Sequence, residues 1–457
     1  MMPLAMPAGG SEKTGDDPYW DKVVFLANMN GANGSTTFID SSPNFAAVNG
    51  NAKVADSVSL FGDSVGTFDG TGDFINLPYL SNYNLGSGNF TIEFWFRPSS
   101  LAGPQNLFEW RSSVSTMGVA FTQSFASPTK VSAFVGDSNT SAWEVSITGA
   151  TTLVVGDWYH VRLVKNGTNF QLYVNGVTQG SATSSVVPYL NSAGIRFGAD
   201  RGGNNGFNGQ AADVMVSNIA RNTSGFTPPS ARLVADSNTL VLISMNGANN
   251  SVLFENIAPI TKLLTPSGNA QISTANFKFG GASGLFDGGA DRLLASQSYS
   301  FGSGDFTIEG WFKRAGESAV GFTQILFDMR TAAPSIQPLI FVGLPGDGYE
   351  FTFEVNGVER IKSGEFTVGP WYHLAIEKYL GVTKMYLMGV NVGPSYIDSN
   401  NYTARNFTLC GRFGPSPGDG DYRSLNGNSD DVRCTAYARY RGNFTPPRRQ
   451  LGKHSPW

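Results

Sequence analysis

An internal duplication constrains this sequence more than any other feature. The run MNGAN at 29–33 recurs at 245–249, and GSGNFTIE at 86–93 recurs as GSGDFTIE at 302–309, so both motifs are displaced by 216 positions. Three shorter motifs return in the same order: FDG at 68–70 and 286–288, WYH at 158–160 and 371–373, and FTPP at 226–229 and 444–447. A period this long exceeds the 20–50 residues of a solenoid repeat, so the sequence predicts a duplicated domain.

The repeat predicts where the domains begin and end. We expect a first copy at 19–229, a linker at 230–237, a second copy at 238–447 and a basic tail at 448–457. The segment 1–18 has several Pro and Gly residues and no apolar period, which predicts a flexible arm. Because the second copy has no such arm, folding does not require it, and we expect the arm to dock onto a neighbouring subunit or particle.

Each copy has the pattern of a β-protein. Phe90, Ile92, Phe94 and Phe96 occupy alternate positions, which is the period of a strand. The segment 160–174 carries Asn-Gly at its centre and predicts a hairpin. With 55 glycines and only 14% charged residues, the composition is typical of an all-β sandwich or jelly roll with many tight turns.

Charge and hydropathy narrow the classes of partner. The net charge of −4 argues against a nucleic-acid partner, since phosphate contacts need clustered Lys and Arg. No run of 18 apolar residues and no signal peptide are evident, so we expect synthesis in a cytoplasm and no membrane insertion. Two cysteines do not make a disulfide framework, and we favour buried thiols at Cys410 and Cys434 over a bridge.

Four motifs of the first copy carry a family resemblance. They are FDGTGDFI at 68–75, GNFTIEFWFR at 88–97, DWYHV at 157–161 and LYVNG at 172–176. Together they resemble the laminin-G-like jelly roll of the concanavalin A-like superfamily, and the second copy repeats them. The resemblance implies two tandem jelly-roll β-sandwiches.

The two ends of the chain resemble a narrower group. DVR at 431–433 with ARYRGNFTPP at 438–447, and the opening DPYWDKVV at 17–24, are similar to modules of tailed-phage structural proteins. This resemblance implies a virion protein, in a capsid decoration, tail or fibre, that is made in the host cytoplasm and contacts other virion proteins and itself. The alternative is a lectin-like adhesin that binds glycans at a bacterial surface.

A glycoside hydrolase is disfavoured, and we predict no catalytic residue. Retaining hydrolysis needs two carboxylates roughly 5 Å apart, and jelly-roll glucanases place them as Glu-x-Asp-x-x-Glu on one strand, a run that is missing here. Glu93 and its equivalent Glu309 are single strand carboxylates, for which a structural acceptor role is favoured. His160 and His373 lack a nucleophile motif beside them and are also interpreted as structural.

Calcium is the one cofactor that the resemblance suggests, because laminin-G-like modules often bind it at one edge. Carboxylates and turn carbonyls are the ligands that calcium prefers. The candidates are Asp69 and Asp73 in the first copy, Asp287 and Asp291 in the second, and also Asp213, Asp430 and Asp431. Asp-Gly runs also form plain turns, so both interpretations stay open.

A glycan site would need aromatic side chains with polar neighbours. The candidates are Trp110, Trp143 and Tyr349, with the loop residues Asp200, Arg201, Asp421, Tyr422 and Arg423. The alternative is that the tryptophans lie in the core and the loops are only solvated. The two copies differ most in these loops, so two different partners are possible in principle.

Overall fold

The structure is a computed structural model. It describes residues 17–80, 83, 85–111, 117–125, 127, 129–137, 142–190, 194–243, 245–246, 249–251, 254–258, 262–295, 298–317, 323–330, 335, 337–343, 349–412 and 423–453. The chain forms two compact units. We call residues 44–260 the contiguous unit, and residues 1–43 with 261–457 the split unit.

The contiguous unit consists of two eight-stranded antiparallel sheets. Its strands are β3 (Phe45–Asn49), β4 (Lys53–Leu60), β5 (Asp63–Asp69), β6 (Phe74–Leu77), β7 (Phe90–Pro98), β8 (Gln105–Trp110), β9 (Val119–Gln123), β10 (Val131–Val135), β11 (Val145–Thr148), β12 (Tyr159–Asn166), β13 (Asn169–Val174), β14 (Val177–Thr183), β15 (Ile195–Phe197), β16 (Asn208–Ser217), β17 (Thr239–Ile243) and β18 (Phe254–Glu255). One sheet has the order β11-β10-β9-β8-β15-β6-β3-β18. The other has the order β14-β13-β12-β7-β16-β5-β4, with β17 also paired to β16.

The split unit repeats this plan. Its elements are a 3-10 turn at Trp20–Lys22 and the strands β1 (Val23–Ala27), β2 (Phe38–Asp40), β19 (Lys262–Ser267), β20 (Gln271–Ser273), β21 (Ser283–Asp287), β22 (Arg292–Leu294), β23 (Phe306–Arg314), β24 (Gln324–Asp328), β25 (Leu339–Val342), β26 (Glu350–Val355), β27 (Val358–Glu365), β28 (Trp371–Tyr379), β29 (Val382–Leu387), β30 (Val390–Ile397), β31 (Thr408–Leu409) and β32 (Asn426–Thr435). Its sheets run β2-β19-β22-β31-β24-β25-β26-β27 and β20-β21-β32-β23-β28-β29-β30, with β1 paired to β32.

Alternating apolar side chains build the core of each unit. Along β7, Phe90, Ile92, Phe94 and Phe96 all enter the main core of the contiguous unit, as their period predicts. The other face of β7 is also covered, because Trp95 packs in a second small cluster. Helix is nearly absent from the described residues, and the predicted all-β fold with two jelly-roll sandwiches is confirmed.

Tight turns hold the strands in register. The predicted hairpin is present, with β12 paired to β13 from Val161↔Val174 to Asn166↔Asn169. Asn175 and Gly176 then turn the chain with φ of 48° and 73°, which suits a two-residue hairpin loop. A Cβ atom on Gly176 would collide with the carbonyl oxygen of Phe226, so glycine is required there.

The units do not follow the predicted boundaries, because the first strands of the two copies are exchanged. β1 opens the predicted first copy but pairs with β32 of the split unit. β17 opens the second copy but pairs with β16 of the contiguous unit. β1 and β17 occupy equivalent positions of the two copies and are both apolar. Their own residues therefore do not show which sheet each strand joins.

The predicted linker, arm and tail also contribute packed residues. In the linker, Leu233 donates its backbone N–H to Asp213 at 2.8 Å. Asp17, at the end of the predicted arm, is 3% exposed and accepts a 3.0 Å hydrogen bond from Arg433. Leu451 in the tail is buried against Val23. Only residues 1–16 and 454–457 of the predicted ends lie outside the described residues.

The structure also bears on the cysteines and on membrane-spanning helices. Cys410 and Cys434 are free and buried, which agrees with the predicted thiols. Among the described residues, no helix is long and apolar enough to cross a membrane.

Candidate functional site

One face of the sheet β8–β11 points away from the core of the contiguous unit. Alternate residues of these strands fill the core, so the remaining side chains form two rows across the outward face. The registers between neighbouring strands align the first row as Asn106, Thr122, Ser132 and Thr148, and the second as Glu109, Ala120, Phe134 and Ser146. We call this surface the polar face.

Glu109 is the central charge of the polar face. It is fully buried, and its Oε1 accepts hydrogen bonds from Arg111 Nε at 2.7 Å and Asn106 Nδ2 at 3.2 Å. Burial raises the pKa of the Glu109 carboxyl, and the charge of Arg111 opposes that rise. Its Oε2 has no hydrogen-bond partner among the described residues.

Among the described residues, two neighbours of Glu109 also have a buried oxygen without a hydrogen-bond partner. Asn106 Oδ1 and Thr122 Oγ1 are also buried without a hydrogen-bond partner in the described part of the chain, and these two residues face each other across β8 and β9. A buried polar atom without a partner costs about 1–3 kcal/mol. Each of these three oxygens can accept a hydrogen bond from a buried water molecule, or from a ligand once the side chains around it give access.

Aromatic rings border the polar face. The ring centroid of Phe134 lies 5.5 Å from that of Trp143 and 6.0 Å from that of Phe125. The guanidinium of Arg111 lies 5.7 Å from the Trp143 centroid. Phe125 is 59% exposed, so part of this aromatic border is open to solvent.

The loop that contains Asp200 and Arg201 braces one edge of the polar face. Asp200 accepts hydrogen bonds from Asn204 N at 2.8 Å and Asn205 Nδ2 at 2.9 Å. Arg201 donates to the Arg111 carbonyl at 2.7 Å. Both residues were predicted to bind a ligand; here they fix the loop beside Arg111.

The equivalent face of the split unit has a different chemistry. Its rows are Ile325, Phe341, Thr352 and Lys362, and Asp328, Leu339, Glu354 and Glu359. Asp328 takes the place of Glu109, but Arg330 binds both of its oxygens, at 2.9 and 3.0 Å. The surface holds a cavity of about 210 Å³ with Ile325, Leu339 and Phe341 among its lining residues. We call it the apolar face after these three residues; charged side chains, among them Arg330, Glu354 and Lys362, line the same cavity.

The two strand glutamates form buried ion clusters in the other sheet of each unit. Glu93 Oε2 lies 3.0 Å from His160 Nε2 and accepts from Arg162 Nε at 2.9 Å. Burial alone would raise the pKa of Glu93, but the His160 hydrogen bond and the Arg162 charge outweigh it and lower that pKa. Burial in turn lowers the pKa of His160. Glu93 therefore serves as a hydrogen-bond acceptor, the structural role that the sequence favours.

The same cluster in the split unit draws its arginine from another strand. Glu309 Oε1 accepts from Arg433 Nε at 3.0 Å, and Glu309 Oε2 lies 3.2 Å from His373 Nε2. Arg433 lies on β32, whereas Arg162 lies on β12, which corresponds to β28 of the split unit. Burial would raise the pKa of Glu309, yet the guanidinium of Arg433 holds it well below its usual range.

Two of the aspartates predicted to bind calcium accept hydrogen bonds from backbone N–H groups. Asp73 accepts from the backbone N–H groups of Asn51 at 2.7 Å and Asp69 at 2.9 Å. Asp291 accepts at the same two distances from Asn269 and Asp287. No group of three or more His, Cys, Asp or Glu side chains in the described ranges is placed to hold a metal ion. Calcium stays a prediction.

The remaining candidate aspartates lie at bulges of β16 and β32. Asp213 pairs with Arg232 at 3.0 Å. Asp431 accepts from Asn28 Nδ2 and Leu451 N, both at 2.8 Å, and Asp430 accepts from Lys278 N at 2.9 Å. Burial raises the pKa of Asp213 to about 6, of Asp430 to about 6 and of Asp431 to about 7.

The predicted glycan residues fall into three groups. Trp110 is fully buried in the core, where the alternative interpretation of the tryptophans places it. Trp143 borders the polar face, and Arg423 lines the cavity of the apolar face. Tyr349 is partly buried against Arg314, whose guanidinium lies 3.8 Å from its ring centroid. Asp421 and Tyr422 lie outside the described residues.

Sequence reasoning missed Glu109, Asn106 and Thr122. The signal was present: QNLFEWR at 105–111 repeats as QILFDMR at 324–330, with an acid and an arginine two residues apart in both copies. A β-bulge between Asn106 and Phe108 shifts the alternation, so Leu107, Phe108 and Trp110 all enter the core. A strict period of two does not anticipate that shift.

Several solved structures resemble the chain at low sequence identity. Domains LG4–5 of the mouse laminin α1 chain align over 100% of this chain and 99% of theirs, at 13% identity and a TM-score of 0.24. A Bacteroides ovatus protein assigned by its name to carbohydrate binding aligns over 48% of this chain, at 14% identity and a TM-score of 0.32, and this chain spans 55% of its length. The CBM40 of a Ruminococcus gnavus sialidase covers 30% of this chain and 80% of its own, at 12% identity and a TM-score of 0.26. No curated protein matches the chain in sequence.

The sequence itself matches one family in two places. A laminin G domain family of the concanavalin A-like lectin/glucanases superfamily matches at 69–224 and at 287–441. The first match lies within the contiguous unit and the second within the split unit. The two matches cover more than half of the 457 residues. The chain therefore belongs to the concanavalin A-like lectin/glucanases superfamily, with one such domain in each unit.

Proposed function

We propose that this chain is a non-enzymatic attachment protein that binds a glycan on the polar face of the contiguous unit. One observation carries the proposal. Glu109, Asn106 and Thr122 lie side by side, and each leaves a buried oxygen without a partner among the described residues. A ligand that donates several hydrogen bonds would relieve the cost of all three.

Sugars meet this requirement better than other small ligands. A sugar presents several hydroxyl groups in a row, and each one can donate a hydrogen bond to a fixed acceptor. Its C–H faces pack on aromatic rings, and Trp143 and Phe125 border the polar face. The charged pair of Arg111 and Glu109, 2.7 Å apart, orients the acceptor before the ligand arrives.

The proposal is tested by screening the full chain against an array of bacterial surface glycans and titrating the best ligand by calorimetry. Thr122→Val removes one acceptor with little change of volume, and Trp143→Ala removes the aromatic border. Each should weaken binding about tenfold, which is roughly 1.4 kcal/mol. Thr178→Val, an exposed position on β14 in the other sheet, is the matched control and should leave the affinity unchanged. Equal affinity in all four proteins would contradict the proposed site.

The proposal excludes hydrolysis of the bound glycan. The strand glutamates Glu93 and Glu309 are each bound by a histidine and an arginine, so both carboxylates are already engaged in ion pairs within the protein. Glu109 has no second carboxylate within its described hydrogen-bond network. Release of reducing ends from the array ligand by the purified protein, lost in Glu109→Gln, would overturn this part.

We further propose that the protein is a virion component that uses this site on the host surface. The support is the sequence likeness of the segments 431–433 and 438–447 to modules of tailed-phage structural proteins. Those segments also serve the fold, because Phe444 packs against His373 and stacks on Tyr440. Mass spectrometry of purified particles tests the placement: peptides of this chain at stoichiometric abundance support it, and their absence favours a bacterial surface adhesin.

A further inference from the structure

The segment 17–43 belongs to the split unit by contact but is joined to the contiguous unit by the chain. β1 pairs with β32 from Val23↔Thr435 to Ala27↔Val432, and β2 pairs with β19 through Asp40↔Lys262. Residue 44 then begins the contiguous unit. The segment is therefore separated in sequence from the strands that it completes by the whole of the contiguous unit.

Apolar and charged contacts both fasten this segment. Phe25, Ala27 and Met29 enter the main core of the split unit. At the start of the segment, Asp17 accepts hydrogen bonds from Arg433 at 3.0 Å and from Arg439 at 2.5 Å, and both arginines are almost fully buried. Removing the segment would open the core and leave two buried guanidinium groups without this carboxylate.

A charged group marks the end of the segment. Asp40 is 1% exposed, and its Oδ2 accepts a 2.8 Å hydrogen bond from the Tyr299 hydroxyl and lies 3.4 Å from Lys262 Nζ. Lys262 also donates to the Ser42 carbonyl at 2.7 Å. Burial lowers the pKa of Lys262, and the charge of Asp40 opposes that change.

The contiguous unit has amides at the same positions. Asn256 replaces Asp40: its Oδ1 accepts from Leu242 N at 2.7 Å, as Asp40 Oδ1 accepts from Leu26 N at 3.0 Å. Asn44 replaces Lys262, because its carbonyl accepts from the Asn256 N–H at 2.8 Å. Both amides donate to the hydroxyl of Tyr83, at 3.0 and 2.9 Å.

The charge pair Asp40–Lys262 and the amide pair Asn256–Asn44 both form only when the first strands are exchanged between the copies. If each copy closed on itself, β2 would fold back on β3 and place Asp40 opposite Asn44, while β18 would place Asn256 opposite Lys262. A buried carboxylate and a buried ammonium would each lose the opposite charge, which strongly disfavours that arrangement. The buried side chains therefore specify which segment completes which unit.

We infer that residues 17–43 act as a donated strand pair and that a second copy of this chain can supply them. Every described contact of the segment in the split unit would be kept if it came from another molecule. Exchange of an identical element is a low-cost route to oligomers. Only the hinge at 41–44 would change its path, and the pairing of Asp40 with Lys262 directs the donated segment to the split unit of the acceptor.

The test uses the full chain with a protease site inserted between Pro43 and Asn44. After cleavage, the released segment should stay bound through native size exclusion, and an excess of fluorescent peptide 17–43 should replace it. A peptide with Asp40→Asn should bind at least about a hundredfold more weakly, because it leaves Lys262 buried without an anion. The control peptide Asp21→Asn makes the same change at a more accessible position and should bind as the unaltered peptide does.

Donation between intact chains is tested by unfolding two differently tagged full chains together and refolding them at high concentration. Native mass spectrometry should then show mixed dimers. Monomers alone, or a cleaved segment that never exchanges with the peptide, would overturn donation by a second copy. Equal affinity of the Asp40→Asn and unaltered peptides would overturn the role of the buried charges.

Discussion

The two units share one strand plan, yet they neutralise the same buried glutamate from opposite sides. Glu93 lies between Arg162 on β12 and Met215 on β16. Glu309 lies between Ala375 on β28 and Arg433 on β32. The arginine therefore comes from a different strand in each unit, but in both units it binds the equivalent glutamate. The fold requires one arginine beside this glutamate, and either neighbouring strand can provide it.

The outward faces of the two units differ more than their inward faces, because the side chains on the outward faces lie outside the main core of each unit. The polar face has Asn106 and Thr122 where the apolar face has Ile325 and Phe341. The acid and arginine beside them are kept in kind, but Arg330 binds both oxygens of Asp328 and leaves neither free. Among the described residues, the polar face thus retains unpartnered acceptors, whereas both oxygens of Asp328 are bound, which is why we propose glycan binding for the contiguous unit.

The largest expected effect comes from removing Arg433, the arginine that binds the buried glutamate of the split unit. Arg433→Met copies the residue at the equivalent position of the contiguous unit and leaves Glu309 buried without its main cation. We expect the split unit to lose about 3–5 kcal/mol of its free energy of unfolding. Adding Ala375→Arg restores the arrangement of the contiguous unit and should recover part of the loss.

Calorimetry of the full chain measures this effect, since each unit should give its own transition. The matched control is Arg448→Met, which makes the same change at an exposed residue. If Arg433→Met shifts the transition of the split unit no more than this control does, the comparison of the two glutamate clusters fails.

A smaller effect should be equal in the two units. Asp73 and Asp291 make the same pair of hydrogen bonds to backbone N–H groups. Replacing either aspartate by alanine should cost about 2–3 kcal/mol, because two backbone N–H donors lose a charged acceptor. Urea unfolding of the two variants measures the costs, and a clear loss in only one unit would break the equivalence of these loops.

The smallest expected effect is a difference in pH dependence. The pKa of Asp431 is raised by burial and by the adjacent Asp430 to about 7, and that of Asp430 to about 6. At the equivalent bulge, the contiguous unit has one such acid, Asp213, beside Ala212. A folded-state pKa above the unfolded value means that the native state binds more protons, so stability is lost as pH rises through about 6–7.

We therefore expect the split unit to lose on the order of 1 kcal/mol more than the contiguous unit between pH 5 and pH 8. Asp431→Asn should flatten most of this difference. Melting curves of both transitions across that range provide the measurement, and parallel slopes for the two units would contradict the assignment.

The sequence predicted the fold because its signals are local and repeated. The alternation of Phe90 to Phe96, the Asn166-Gly167 turn and the duplicated motifs each act over a few residues. The exchange of β1 and β17 depends on Asp40 meeting Lys262, which are 222 positions apart, and no local pattern reports such a pair. The sequence did not predict the polar face for a similar reason. The β-bulge after Asn106 determines which side chains of β8 point outward.

Glycan binding on the polar face is the central claim, and locating the bound sugar tests it most directly. We would determine a crystal structure of the full chain with the tightest ligand from the glycan array. The account predicts a sugar ring against Trp143, with hydroxyl groups about 2.5–3.0 Å from Glu109 Oε2 and Thr122 Oγ1. A sugar bound in the cavity of the apolar face, or at the loops of Asp69 and Asp287, with the polar face occupied only by water, would contradict it.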